Sequence, residues 1–176
     1  MSIRAFKGIS PNIHESAYID EDCSIIGDVT VGKDSSVWPM TAIRGDVHKI
    51  TIGERTNIQD GSILHVTADN EYNPGGAPLI IGDDVTVGHG AILHACTIGN
   101  LCLIGMGATV LDRAIIEDEV MVAAGSLVSP GKVLESGYLW LGSPVRRARE
   151  LTEMERNYLR FSSQHYVQLK NEHMES

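Results

Sequence analysis

Basic residues, cysteines and long apolar runs are all scarce in this 176-residue sequence. Its 14 Lys and Arg are outnumbered by 23 Asp and Glu, and the net charge of -9 argues against nucleic acid or an anionic membrane as a partner. Because no apolar run is long enough to cross a bilayer, we expect neither a membrane span nor a signal peptide. The three cysteines are expected to be reduced core thiols, which is typical of a cytoplasmic protein.

An aliphatic residue at every sixth position is the dominant pattern of the chain. With three shifts of register, the series contains only Ile, Leu and Val: Ile13, Ile19, Ile25, Val31, Val37, Ile43, Ile52, Ile58, Leu64, Ile81, Val87, Leu93, Ile98, Ile104, Val110, Ile116, Val122 and Val128. The position four residues later is small or β-branched, as at Ala17, Cys23 and Thr56. Neither an α-helix nor a plain alternating strand produces this period.

A hexapeptide period is typical of a parallel β-helix, an all-β solenoid in which one short unit stacks on itself. Three six-residue units close one triangular coil, so the eighteen repeats predict about six coils. The periodic aliphatic points inward and stacks on its equivalents roughly 4.8 Å above and below. A coil this narrow buries little surface, and we therefore expect other copies of the chain to cover one of its faces.

The repeat also divides the chain. Residues 1–135 are predicted to form the β-helix, with a protruding loop at 67–79, where turn-forming residues replace the pattern. Residues 136–176 are predicted to add a last extended segment and a C-terminal helix within the same domain. A capping box at Thr152 and Glu155 opens this helix. Its predicted apolar face, which needs a packing surface, consists of Met154, Tyr158, Phe161, Tyr166 and Leu169.

Two histidines are predicted to stack on one face of the solenoid. Once the insertions are allowed for, the units that begin at Ile43, Leu64 and Leu93 lie on the same face in successive coils. His65 and His94 each follow their aliphatic residue by one position, so both side chains point outward, one coil apart. Two imidazoles at strand spacing can share a metal ion whose Zn–N distance is about 2.0–2.1 Å.

A third histidine belongs to a different face. His89 lies in the unit of Val87, next to the unit of Ile58, and cannot easily reach the other two histidines within one chain. A neighbouring subunit could bring it alongside, and closed symmetry is the usual arrangement of homo-oligomers. The sequence therefore predicts a homotrimer with metal sites between subunits. Zinc is the first choice for three imidazoles, with iron or cobalt as alternatives.

Four polar residues are predicted to lie on the same two faces as the histidines. Arg44 and Asp46 fall on the face of His65 and could either orient a ligand or form an interface ion pair. Asn57 and Gln59 flank the inward aliphatic residue beside His89's unit and are either site residues or ordinary ladder side chains. In the first case, the Gln59 amide could contact metal-bound water or substrate.

The segments Arg44-Gly-Asp46, Asn57 to His65 and Val87-Gly-His89-x4-His94 together resemble the gamma-class carbonic anhydrases and their bacterial relatives. The resemblance covers roughly residues 10–170 and implies a left-handed parallel β-helix and a trimer. It further implies that His65 and His94 of one chain and His89 of the next hold the metal. Gln59 and Asn57 would lie beside the metal-bound solvent, and Arg44 and Asp46 at the interface.

The implied activity is that of a lyase (carbonate dehydratase), in which a metal-bound hydroxide hydrates carbon dioxide reversibly to bicarbonate. The sequence departs from the family where acidic residues normally export protons: Val47 and His48 follow Asp46, and the loop carries only Asp69 and Glu71. A catalytically weak or inactive metal-binding relative is therefore an alternative. An acyltransferase that uses one histidine as a general base is a third hypothesis, but it leaves two histidines without a role.

Overall fold

The computed structural model describes residues 2–175 as a stack of short strands followed by a helix. The strands are β1 (Ser2–Arg4), β2 (Asn12–Ile13), β3 (Tyr18–Ile19), β4 (Ser24–Val31), β5 (Ser36–Val37), β6 (Ala42–Ile52), β7 (Asn57–Ile58), β8 (Ile63–His65), β9 (Leu79–Ile81), β10 (Thr86–Val87), β11 (Ile92–His94), β12 (Thr97–Ile98), β13 (Leu103–Ile104), β14 (Thr109–Val110), β15 (Ile115–Ile116), β16 (Met121–Val122), β17 (Leu127–Val128), β18 (Val133–Leu134), β19 (Tyr138–Gly142) and β20 (Val145–Glu150). Helix α1 (Glu153–Glu175) ends the described chain.

The strands form the three faces of a parallel β-helix. The first face stacks β1, β4, β6, β8, β11, β14 and β17; the second stacks β2, β4, β6, β9, β12, β15 and β18; the third stacks β3, β5, β7, β10, β13, β16 and β19. The long strands β4 and β6 continue around a corner and serve two faces. This architecture confirms the predicted solenoid. It has more turns than the predicted six, because stacking begins at Ile3 and extends to Trp140, beyond the aliphatic repeat.

The periodic aliphatic residues form the core, and the small residues fill the corners. On the first face Ile43, Leu64 and Leu93 are each completely buried, and burial of one such side chain stabilises the fold by about 1.5–3 kcal/mol. At the corners, the Thr56 hydroxyl donates to the Gly82 carbonyl of the next coil at 2.7 Å. The corner side chain must be small because the backbone of the adjacent coil lies within hydrogen-bonding distance.

The interruption at residues 67–79 is an ordered hairpin rather than an irregular loop. Thr67 and Ala77 form an antiparallel bridge at its base, and Asn70 and Asn73 form a second near its tip. The Asp69 carboxylate accepts the Gly75 amide at 2.8 Å and holds the turn between them. The hydrogen bonds of this segment itself fix its shape.

Helix α1 packs on the third face, against β3, β5 and β10. Its capping box forms as predicted: the Glu155 amide donates to Thr152 Oγ1, and the Thr152 amide donates to Glu155 Oε2. The predicted apolar face is wrong in part, since Met154, Tyr158 and Phe161 are exposed. The buried positions are instead Leu159, Ser162, Ser163 and Lys170. Among residues 2–175, no helix combines the length and hydropathy that crossing a membrane requires.

Candidate metal site

His65 and His94 lie side by side on the first face. Strands β8 and β11 are parallel neighbours, and their register pairs the two residues directly, as the sequence predicts. His65 Nδ1 and His94 Nε2 are 3.1 Å apart, and the ring centroids are 5.2 Å apart. Both side chains point outward and are partly buried, with relative exposures of 21% and 32%.

The spacing of these two nitrogens fits a shared metal ion. Two nitrogens bound tetrahedrally to zinc at about 2.0–2.1 Å lie roughly 3.3 Å from each other. The observed 3.1 Å between His65 Nδ1 and His94 Nε2 is close to this value, and without an ion one ring donates a hydrogen bond to the other across it. The donor set is also suitable, because imidazole nitrogen is a preferred ligand for zinc, iron and cobalt.

A carboxylate supports each of these two rings from its other nitrogen. Asp46 Oδ1 lies 3.1 Å from His65 Nε2, and Asp112 Oδ1 lies 2.7 Å from His94 Nδ1. A carboxylate in this position fixes the tautomer and orientation of a ligating histidine. The second oxygen of Asp112 accepts the hydroxyl of Thr67. The two rings are therefore held in place before any ion binds.

The local electrostatics favour a neutral His65 and charged carboxylates. Burial lowers the pKa of His65, and the nearby Arg44 and His94 lower it further, although Asp46 opposes the shift. Burial alone would raise the pKa of Asp46, but hydrogen bonds from Arg44 and His65 outweigh it and the net shift is downward. The pKa of Asp112 is likewise lowered, because hydrogen bonds from Thr67 and His94 outweigh the effect of burial.

His89 lies at the corner after β10, and a carboxylate supports its ring as well. Its Nδ1 is 2.9 Å from Asp60 Oδ2, and both side chains are about half exposed. Within residues 2–175, no group of three His, Cys, Asp or Glu side chains is placed to hold a metal ion. The chain thus brings together two of the three predicted ligands and leaves His89 on another side of the solenoid.

Asn57 and Gln59 lie next to His89 of the same chain. Gln59 is 5% exposed and lines the same groove as His89. Its Nε2 donates to Asn57 Oδ1 at 3.1 Å, and Asn57 Nδ2 donates to Thr86 Oγ1 at 3.1 Å. Asn57 is fully buried, so its contribution is to hold the Gln59 amide at the edge of the groove.

Arg44 and Asp46, for which the sequence left either a ligand-orienting role or an interface ion pair, form an ion pair within one chain. Arg44 Nη1 donates to Asp46 Oδ2 at 2.6 Å, and the guanidinium is half exposed. Asp46 therefore bridges Arg44 and His65. Because the nearby carboxylate already balances its charge, Arg44 is a poor candidate for binding an anion by itself.

A groove of about 460 Å³ runs beside His89 between the third face and α1. Its walls are largely apolar and include Leu103, Met106, Met121, Leu139, Tyr158 and Tyr166. Gln59 and His89 supply its polar part. The groove thus extends from one predicted ligand along the inner side of the helix.

Asp60, Asp112 and Thr67 support the histidines but were not predicted from the sequence. The register could have revealed Asp60, because β7 and β10 pair Ile58 with Val87 and so place Asp60 directly opposite His89. Asp112 carries a weaker signal, since it lies one position beyond the register partner of His94. Nothing in the repeat indicates Thr67, which lies in the hairpin.

Cys96 lies two residues after His94 but is not available as a ligand. Its side chain is buried in the core, and burial raises the pKa of the thiol to about 12. Cys23 and Cys102 are also buried and free, as the sequence predicts. The cysteines therefore contribute packing rather than chemistry.

Comparison with curated proteins finds relatives over nearly the whole chain, although no protein-family model matches it. Protein YrdA of Escherichia coli K12 is 53% identical over 98% of this chain and 94% of its own length. Gamma carbonic anhydrase 2, mitochondrial, of Arabidopsis thaliana is 42% identical over 93% of this chain. This chain spans 59% of the length of the Arabidopsis protein.

Comparison with solved structures gives the same fold at high identity. A hexapeptide transferase family protein from Anaplasma phagocytophilum superposes with a TM-score of 0.88 at 44% sequence identity. The match covers 97% of this chain and 96% of that one. The named relatives thus include both carbonic anhydrases and a transferase family.

Proposed function

Because this chain belongs to the gamma carbonic anhydrase-like family of hexapeptide-repeat proteins, we propose that it is a metal-dependent protein that interconverts carbon dioxide and bicarbonate. The observation that carries this proposal is the 3.1 Å spacing between His65 Nδ1 and His94 Nε2 on the outer face of the solenoid. This spacing fits one shared ion, and the carboxylates of Asp46 and Asp112 stabilise the rings that would hold it.

The third ligand in this proposal is His89 of a neighbouring chain, and the assembly is a trimer. Two imidazoles alone hold a divalent ion incompletely, whereas catalytic zinc sites commonly have three protein ligands and one open position. His89 is half exposed and is oriented by Asp60, so a neighbour can approach it. Three chains around one axis form this contact three times, and we call each such contact a seam.

The residues of the chain have distinct tasks in this reaction. His65, His94 and His89 would hold the ion, which when bound lowers the pKa of water enough to make it a nucleophile near neutral pH. Gln59 is fixed by Asn57 and would orient water or carbon dioxide beside the ion. No covalent nucleophile is required.

One proton must leave the site in each hydration cycle. The water oxygen forms a bond to the carbon of carbon dioxide, bicarbonate is released, and the remaining proton passes to solvent. The two residues after Asp46 are Val47, which is 44% exposed, and His48, whose Nδ1 accepts the Lys49 amide at 2.8 Å. Glu71 is exposed on the hairpin. Because Asp46, Asp60 and Asp112 are each engaged by a histidine, few acidic groups remain to accept the proton, and we propose that turnover is limited by proton release.

Metal content and isotope exchange test the proposal together. Protein purified without chelator should contain about one divalent ion per chain, as three seams among three chains require. It should also accelerate the loss of ¹⁸O from labelled carbon dioxide. The His65→Ala variant should lose both the metal and the exchange activity, because it removes half of the histidine pair.

His14→Ala is the matched control, since His14 is exposed near the N-terminus and bonds to Ser16 rather than to the pair. It should retain metal and exchange. A metal-free wild type, or exchange by His65→Ala at the wild-type rate, would refute the proposal. Metal without exchange would instead identify the catalytically inactive relative.

An acyltransferase is the second candidate, and the groove beside His89 is the observation that favours it. Its apolar length and volume of about 460 Å³ could receive an acyl or pantetheine chain, with His89 near the reacting end as a general base. The transferase family of the Anaplasma relative is consistent with this function. Calorimetric titration with acetyl-coenzyme A separates the two: saturable binding supports the acyltransferase, and no binding removes it.

A further inference from the structure

His94 is held by a chain of side chains that runs outward to the hairpin. Its Nδ1 lies 2.7 Å from Asp112 Oδ1, and Asp112 is at the corner after β14, eighteen residues along the chain. The other carboxylate oxygen of Asp112 accepts the hydroxyl of Thr67. Thr67 is at the base of the hairpin, where it bridges Ala77.

A second contact fixes the hairpin to the same corner. Arg113, next to Asp112, donates from Nη2 to the Gly76 carbonyl at 3.3 Å. Gly76 has a positive φ of 63°, and a Cβ added there would lie 2.6 Å from the Thr67 carbonyl oxygen, so the two arms of the hairpin meet tightly. The base of the hairpin and the corner that carries Asp112 are thus tied together at two points.

The three carboxylates that support the histidines differ in their own surroundings. Asp60 is 48% exposed, and Asp46 divides its two oxygens between Arg44 and His65. Asp112 has one oxygen on His94 and the other on a neutral hydroxyl from a different structural element. Its position therefore depends on the hairpin in a way that the positions of the other two do not.

We propose that Asp112 and Thr67 are positioning residues for His94, and that they make metal affinity depend on the base of the hairpin. The inference rests on the proposed function, in which His94 is a ligand. The Asp112 carboxylate holds the proton on Nδ1 and so leaves the Nε2 lone pair facing His65. Thr67 keeps the carboxylate from rotating away. Neither residue touches the ion.

Zinc affinity of the demetallated and refilled full-length protein tests this pair. Competition against a chromophoric chelator should show that Asp112→Asn binds zinc about 10–100-fold more weakly than the wild type. Thr67→Val removes only the hydroxyl and should weaken binding in the same direction by a smaller factor. It also keeps the test valid if Asp112→Asn folds poorly.

Asp118→Asn is the matched control. Asp118 also occupies a corner and accepts the Asn100 amide at 2.7 Å, but it contacts none of the three histidines. Its zinc affinity should equal that of the wild type, even if its stability falls. A merely structural role for Asp112 would make the two aspartate variants behave alike.

Histidine ¹⁵N spectra of the metal-free protein supply a second readout. Wild-type His94 should be the Nδ1–H tautomer, and Asp112→Asn should shift it toward a mixture. Equal zinc affinity in the wild type, Asp112→Asn and Thr67→Val overturns the positioning role and leaves the proposed function intact. A wild type that binds none of zinc, iron(II) and cobalt(II) overturns both.

Discussion

Asn57 is the residue on which the placement of Gln59 depends. It is 1% exposed, and its amide bonds both Gln59 and Thr86. Asn57→Ala leaves the partner groups without these bonds in a buried site, which costs about 1–3 kcal/mol. We expect the free energy of unfolding in urea to fall by that amount and the exchange activity to fall with it.

The exposed Asn12 is the control for this substitution. Asn12→Ala removes the same side chain from a solvent-facing strand and should change stability by less than about 0.5 kcal/mol. Equal losses for the two variants would mean that burial of the Asn57 network has no special energetic role.

Counting along the repeat located the histidines and placed Asp46 on the face of His65, but it did not identify the supports of His89 and His94. The aliphatic period fixes the register between coils, so His65 opposite His94 and His89 on a different face both follow from counting. The hydrogen bond from His94 to Asp112 does not follow, because at the corner after β14 side chains no longer point straight in or out of a strand. Asp112 reaches His94 from such a corner, and its second partner, Thr67, comes from a hairpin with no repeat at all.

At the scale of elements, the start of helix α1 is sensitive to acid. Glu155 accepts bonds from Arg149 and Thr152, and these lower its pKa to about 2. A carboxylate with a lowered folded-state pKa stabilises the fold above its unfolded pKa, and this contribution is lost as pH falls from about 4.5 to about 2. The stabilisation is modest because the pair lies at the surface.

Glu155→Gln should therefore be less stable than the wild type at pH 7 by on the order of 0.5 kcal/mol. The difference should shrink through pH 4 and vanish near pH 2, as followed by urea unfolding at each pH. Glu153→Gln, an exposed change in the same helical turn, is the control, because it removes one carboxylate without touching the Arg149 and Thr152 contacts. A Glu155→Gln difference that stays constant with pH would contradict the assignment.

The docking of α1 shows why its buried face could not be read from periodicity. Counting apolar residues selected Met154, Tyr158 and Phe161, which are exposed. The helix instead approaches the third face through small residues, and Ser162 Oγ lies 2.8 Å from Thr86 Oγ1. A helix packs closely on a flat sheet face where the side chains of the helix are short. Short polar side chains leave no hydrophobic pattern in the sequence.

At the scale of the whole molecule, apolar surface surrounds both halves of the proposed seam. Ile63 and Ile92 point outward two residues before His65 and His94, and they are 49% and 40% exposed. Met106 lies one coil beyond His89 and is 58% exposed. A neighbouring chain that brings these surfaces together would bury them and complete the ligand set. One such contact would therefore account for both the exposed apolar surfaces and the separated histidines.

Mixed trimers test whether the ligands come from different chains. A chain with His89→Ala keeps the histidine pair, and a chain with both His65→Ala and His94→Ala keeps His89. When both are co-expressed with different tags and purified through both tags, each trimer has one seam where an intact pair meets an intact His89. We expect about one ion per trimer and about a third of the wild-type exchange activity. Each parent alone should bind no metal, and parents mixed after assembly should stay metal-free. A site built within one chain is destroyed in both parents, so metal in the mixed trimers can come only from a seam. Mixed trimers that remain metal-free would exclude the seam.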